Sequence, residues 1–150
     1  MLEEKIDQDL KTALIGGDQV AVRTLRGLKS ALLYVKVAQN KRDSGLSQTE
    51  EIDILQKEAK KRQESADLFR QGGRDDKAED ELAEKAIIEK YLPTQLSSDQ
   101  LRELIRQPVE ELQAVGLSDM GKVIGAVKTK AAGAADGSQI AALVKEVLSQ

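Results

Sequence analysis

Aliphatic residues recur three and four positions apart along almost the whole chain, in runs broken by glycine pairs and by Ser or Asp residues placed to cap the next run. That period gathers apolar side chains on one face of an α-helix and on no single face of a strand. Leu2, Ile6, Leu10 and Leu14 predict a first helix to about Ile15, stopped by Gly16-Gly17. Asp18 is placed to cap a second, which carries Leu25, Leu28, Leu32 and Val35 on one stripe to about Gln39. Ser47, with Glu50 three residues on, forms a capping box for a third helix that Ile52, Leu55, Ala59, Ala66 and Phe69 continue to Gly72-Gly73. A fourth runs from about Asp75 to Leu92, with Leu82, Ala86, Ile87 and Tyr91 on its expected buried side, and Pro93 prevents its continuation.

Residues 93–98 join that helix breaker to a new capping box, Ser97 with Gln100, and mark a boundary. The expectation is an all-α protein: an N-terminal domain of about four helices over 1–93 and a smaller three-helix tail subdomain over 94–150. In the tail, Leu101, Leu104, Ile105, Val109 and Leu112 should face inward on a helix that Pro108 kinks or breaks and Gly116 closes. Shorter helices follow at about 119–132 and 137–148, the last with Ile140, Leu143, Val144 and Val147 inward. No alternating β-branched run with a hairpin dipeptide occurs, so no sheet is expected.

With one Phe, two Tyr and no Trp, the cores must be filled by Leu, Ile, Val and Ala. Charged residues make up 33% and apolar residues 40% of the chain, the balance of a folded protein and neither a disordered polyampholyte nor a membrane protein. No stretch approaches the ~20 apolar residues that cross a bilayer. The start Met1-Leu2-Glu3-Glu4 is acidic where a secretory leader is basic and then apolar, which reads as a cytoplasmic protein with no membrane partner. The chain has no cysteine, hence no disulfide, thiolate nucleophile or thiolate metal site, and no histidine, the commonest general base and metal ligand. No cofactor is expected, and the acidic stretch Glu79, Asp80, Glu81, Glu84 reads as a solvated helix face in preference to a metal site.

Charge is distributed unevenly. Between Gln19 and Arg42 stand Arg23, Arg26, Lys29, Lys36, Lys41 and Arg42 without one acid, in a chain of net charge −3. Arg26, Lys29 and Lys36 share one broad sector beside the apolar stripe, a ridge suited to phosphates, whose neutralisation releases counterions. The plainer alternative is a face paired with acids on neighbouring helices. A second basic run, Lys57, Lys60, Lys61 and Arg62, is interleaved with Glu50, Glu51, Asp53, Glu58 and Glu64, so pairs such as Glu58 with Arg62, four apart, are expected there. In the tail, Gly121 and Gly125 lie on one helix face at a cost of ~1 kcal/mol each in helix propensity, leaving room for a close helix or ligand backbone. Gly133 suits a helix C-terminus, and Asp136 or Ser138 can cap the last helix. A Gly-rich phosphate loop does not fit, because no strand precedes these glycines and their spacing is wrong.

Several of these segments together carry a resemblance. Arg23-Thr24-Leu25-Arg26-Gly27-Leu28-Lys29-Ser30-Ala31-Leu32, then Lys61-Arg62-Gln63-Glu64-Ser65 with Phe69 and Gly72-Gly73-Arg74, then Tyr91-Leu92-Pro93 with Gln95-Leu96-Ser97, resemble the small GatB/YqeY-domain proteins. The likeness continues through Met120-Gly121-Lys122-Val123-Ile124-Gly125 and Ala135-Asp136-Gly137, so that it covers essentially the whole chain. It implies a helical tail similar to the C-terminal tail of the B subunit of the tRNA-dependent amidotransferase. In that glutamine-dependent carbon–nitrogen ligase the tail helps engage tRNA, and the chemistry occurs in a separate module. The chain resembles only the noncatalytic part and is not expected to be catalytic alone. Ala134 stands where the family often has a basic residue, and Lys128 where an apolar one is common.

The expectation is therefore a module that docks on tRNA, or on a tRNA-loaded enzyme. Its contact groups would be Arg23, Arg26 and Lys29 with the tail lysines Lys122, Lys128 and Lys130, while Gly121, Gly125, Gly133, Asp136 and Gly137 would serve as close-contact and turn positions. The alternative is an adaptor whose tail packs on another helical protein through Gly121 and Gly125.

Overall fold

Ser47 Oγ accepts the Glu50 N–H at 3.2 Å while the Glu50 carboxylate accepts the Ser47 N–H at 2.8 Å, and this reciprocal cap starts the longest helix of the protein. Ser97 and Gln100 repeat the arrangement at 3.2 and 2.9 Å. Asp18 caps through the Ala21 N–H and Asp136 through those of Ser138 and Gln139. Each cap satisfies backbone donors that a helix start leaves without partners. The computed structural model describes residues 2–150. Their elements are α1 (Leu2–Gly16), α2 (Gln19–Ala38), α3 (Gln48–Gln71), α4 (Asp75–Glu89), α5 (Ser98–Glu111), a 3-10 turn (Leu117–Asp119), α6 (Met120–Ala131) and α7 (Gly137–Leu148). No strand occurs among the described residues, so the protein is all-α.

The chain divides into two compact units, one ending at Leu92 and the other spanning Pro93–Gln150, each with its own core. In the first, Ile6, Leu25, Leu28, Leu32, Leu55 and Ile88 are buried where α1 to α4 meet. In the second, Leu101 and Ile105 of α5 meet Val123 and Val127 of α6 and Ile140 and Val144 of α7. Fully burying an aliphatic side chain of this size gains about 1.5–3 kcal/mol, so each unit is organised by its own apolar cluster. Among the described residues no helix is long and apolar enough to cross a membrane.

Three buried faces differ from the sequence expectation. On α4 the buried residues are Ala78, Glu84 and Ile88, while Ala86 is exposed and Leu82, Ile87 and Tyr91 are only partly covered. The helix is rotated because Ala78 lets it close on α3 in a hairpin, with Lys77 over the Phe69 ring and Lys85 donating to Gln63. Glu84 turns inward to meet partners on α2. The acidic stretch is thus a solvated face only in part. Leu14 and Leu112 close their apolar stripes but remain half exposed, Leu112 because it forms the C-cap of α5 and Pro108 occupies the buried position one turn earlier. Pro108 does not break α5, which continues to Glu111; the ring removes one N–H donor, and left-handed Gln113 (φ 51), before Gly116 is reached, follows the end of the helix.

Candidate functional site

The basic segment 19–42 lies on α2 and the turn after it, and its apolar stripe, Leu25, Leu28 and Leu32, fixes which way each cation points. Lys29 Nζ meets Asp7 Oδ1 at 2.6 Å and Lys36 Nζ meets Glu3 Oε2 at 2.5 Å, both across to α1. Lys41 pairs with Glu50, whose carboxyl is held below its ordinary pKa first by that bond and then by the Ser47 N–H. Arg23 Nε lies 3.4 Å from Glu84 Oε1, yet 59% of the Arg23 side chain is in solvent. Arg26 and Arg42 are exposed, with no carboxylate within 4.0 Å among the described residues. Much of the ridge is therefore neutralised from neighbouring helices. Of the three α2 cations expected to form the contact surface, Arg26 is free, Arg23 is engaged on one edge, and Lys29 is bound to Asp7.

Two buried carboxylates, Glu84 and Glu58, hold arginines of α2 and α3. Thr24 Oγ1 lies 3.4 Å from the same Glu84 oxygen, and Glu84 is buried. On α3, buried Glu58 accepts from Lys61 Nζ at 3.0 Å and from Arg62 Nη1 at 2.5 Å. The other terminal nitrogen of Arg62, Nη2, lies over α2 at Gly27, 3.2 Å from the place a Cβ would occupy. The sequence offered one signal here, the Glu58–Arg62 spacing; the approach to Gly27 links positions far apart in the chain.

In the second unit, Val123, Val127 and Ala131 face the core, and this leaves Gly121, Lys122, Gly125, Lys128, Thr129 and Lys130 on the solvent side of α6. None of the three lysines has a carboxylate within 4.0 Å among the described residues, and no acid occurs between Met120 and Ala135. Among the described residues nothing lies within 4 Å of a Cβ added at Gly121 or Gly125, and no helix there uses the close approach that those glycines permit. Lys128 reaches over the first turn of α7, its Cε 3.2 Å from where a Gly137 Cβ would stand. The corner from Gly133 to Gly137 is a built turn: Ala132 (φ 49) and Gly133 (φ 89) are left-handed, Gln95 Nε2 donates to the Gly133 carbonyl at 3.1 Å, and the Leu96 N–H donates to that of Ala134 at 2.7 Å. Asp136 is occupied as the cap of α7. Among the described residues no group of three or more carboxylates could hold a metal ion.

Fold and surface define a small all-helical protein of two units, with a partly neutralised cationic face on α2 and a lysine face on α6 that is unpaired among the described residues. Over residues 3–148 the chain matches the Yqey-like protein family, and it belongs to that family. It is 33% identical over 126 residues to "Altered inheritance of mitochondria protein 41, mitochondrial" of Meyerozyma guilliermondii, an alignment covering 81% of this chain and 64% of that protein. To the protein of the same name from Clavispora lusitaniae it is 32% identical over 123 residues, covering 79% of this chain and 67% of the relative. To that of Pyrenophora tritici-repentis it is 25% identical over 150 residues, 96% of this chain and 79% of the relative. The chain thus spans about two thirds of the length of the first two relatives. All three are named as mitochondrial proteins, and this overturns the cytoplasmic expectation, which rested on the acidic start and the lack of a long apolar stretch.

Proposed function

We propose that this YqeY-like protein is a noncatalytic module that binds tRNA, or an enzyme carrying tRNA, through phosphate contacts. The observation that carries the reading is the α6 face, where Lys122, Lys128 and Lys130 are exposed and, among the described residues, without a carboxylate partner. On the first unit, taken by itself, Arg26 and the free edge of Arg23 are a second set of phosphate contacts, while Lys29, held by Asp7, contributes less than its sequence position suggested. Unpaired lysines near a polyanion release counterions, which gives affinity without sequence preference. Base stacking contributes little, since the chain has one Phe and two Tyr. The role assigned is positioning of RNA for amidation or a related reaction performed by another protein. A filter-binding titration of tRNA at low and moderate salt checks it. Saturable binding that weakens steeply with salt is expected, and no binding at low salt, or binding indifferent to salt, would exclude this mechanism.

A second reading has its own observation. The second unit leaves open space at Gly121 and Gly125 and exposes the apolar residues Leu112, Val115 and Leu117, features that suit a helix of a protein partner. A partner retained after RNase treatment, and lost when Gly121 and Gly125 are replaced by Leu, would favour the adaptor.

A further inference from the structure

We propose that Arg62 and Arg23, set on either side of Gly27, form a seat for a phosphate group, with Glu58 and Glu84 as positioning residues. Gly27 stands in the middle of the 20-residue helix α2, where glycine is the least favourable residue after proline. A Cβ there would crowd the guanidinium of Arg62, whose Nη2 stands 3.2 Å from the vacant position. Nη1 is anchored by the Glu58 carboxylate at 2.5 Å and reaches the Glu58 carbonyl at 3.5 Å, and only 17% of the side chain is exposed. Nε and Nη2 keep donors that no atom of the described residues uses. Arg23, one turn before Gly27 on the same side of α2, is held to Glu84 through Nε alone, and its two terminal nitrogens are unbonded among the described residues.

An internal ion-pair network that served stability alone would need neither the glycine nor the spare donors. Here each carboxylate is buried and fixes one edge of a guanidinium, and the other edge is left for an acceptor. Arg23, Lys61 and Arg62 meet Glu58 and Glu84, three cations against two anions, so the paired set keeps a charge of +1 in a chain of net charge −3. A tetrahedral oxyanion with several acceptor oxygens is the ligand this arrangement suits, since guanidinium edges bind phosphate in pairs. The inference goes beyond the tRNA reading, because a small molecule and a nucleic-acid backbone can supply the phosphate equally well.

The test monitors the arginine Nε–H signals of the full chain by NMR during titration with inorganic phosphate, with tRNA, and with chloride at matched ionic strength. Saturable shifts of Arg62 and Arg23 are expected with phosphate, with tRNA or with both, and the effective arm identifies the source. Shifts with phosphate but no tRNA binding would leave this seat standing and remove the tRNA reading. No saturable shift in either arm, or the same shift with chloride, would overturn the seat. Gly27→Ala crowds Nη2 by a methyl: it should keep the wild-type helical circular dichroism, yet bind roughly tenfold more weakly as that nitrogen shifts. Arg62→Lys, which keeps the charge and loses the fork, should show the same loss with unchanged helical circular dichroism. Undiminished affinity in both variants would contradict the proposal.

Discussion

Glu51 sits in the first turn of α3 with 1% of its surface exposed and accepts the Leu2 N–H at 3.3 Å. Burial pushes its pKa above the ordinary value of 4.5, and like-charged Glu3 adds to this, against the opposing Leu2 N–H and Lys36. A carboxyl raised in the folded state favours folding in its protonated form. Its contribution is present below the unfolded value near 4.5 and is lost as pH rises through the higher folded value. Glu51→Gln should therefore raise the melting temperature at pH 7, and the gain should shrink below about pH 4.5; a lower melting temperature at pH 7 would show that the charge is needed. Tyr91 donates its hydroxyl to Asp9, with Lys5 5.5 Å from the ring centre. Burial and the Asp9 carboxylate hold the phenol well above its usual range. Tyr91→Phe keeps the ring and the Lys5 contact but removes the hydrogen bond, so a loss of about 0.5–1.5 kcal/mol in denaturant unfolding is expected.

Among the elements, α6 and its corner separate two uses of glycine. Gly125 is helical with open space around it, so Gly125→Ala should stabilise the protein by about 1 kcal/mol. Gly133 is left-handed at φ 89, and Gly133→Ala should destabilise by about 1–2 kcal/mol. Chemical denaturation of both variants checks the opposite signs. The helix starts were legible in the sequence, because a cap is a local event: Asp18, Ser47, Ser97 and Asp136 each act on N–H groups two or three residues away. The buried face of α4 was not, because Leu82, Ala86 and Ile87 mark an apolar sector that tertiary packing overrides. Ala78 and Glu84 face inward for reasons located on α3 and α2.

Across the whole molecule, charge obeys the same division between local and distant information. A chain of net charge −3 shows where cations cluster but not which carboxylates return to meet them. Lys36 is neutralised by Glu3, 33 residues away, and Arg23 is engaged by Glu84, 61 residues away. The conspicuous basic run on α2 is thus the more compensated of the two candidate surfaces, and the sparser tail lysines are the freer one. The most direct measurement is the salt dependence of tRNA affinity for the wild type, for Lys122, Lys128 and Lys130 all replaced by Gln, and for Lys29→Gln. Each phosphate contact contributes about one unit to the log–log slope, so the triple variant should lose about three units and Lys29→Gln close to none. A triple variant with the wild-type slope would contradict a polyanion role for the unpaired lysines of α6.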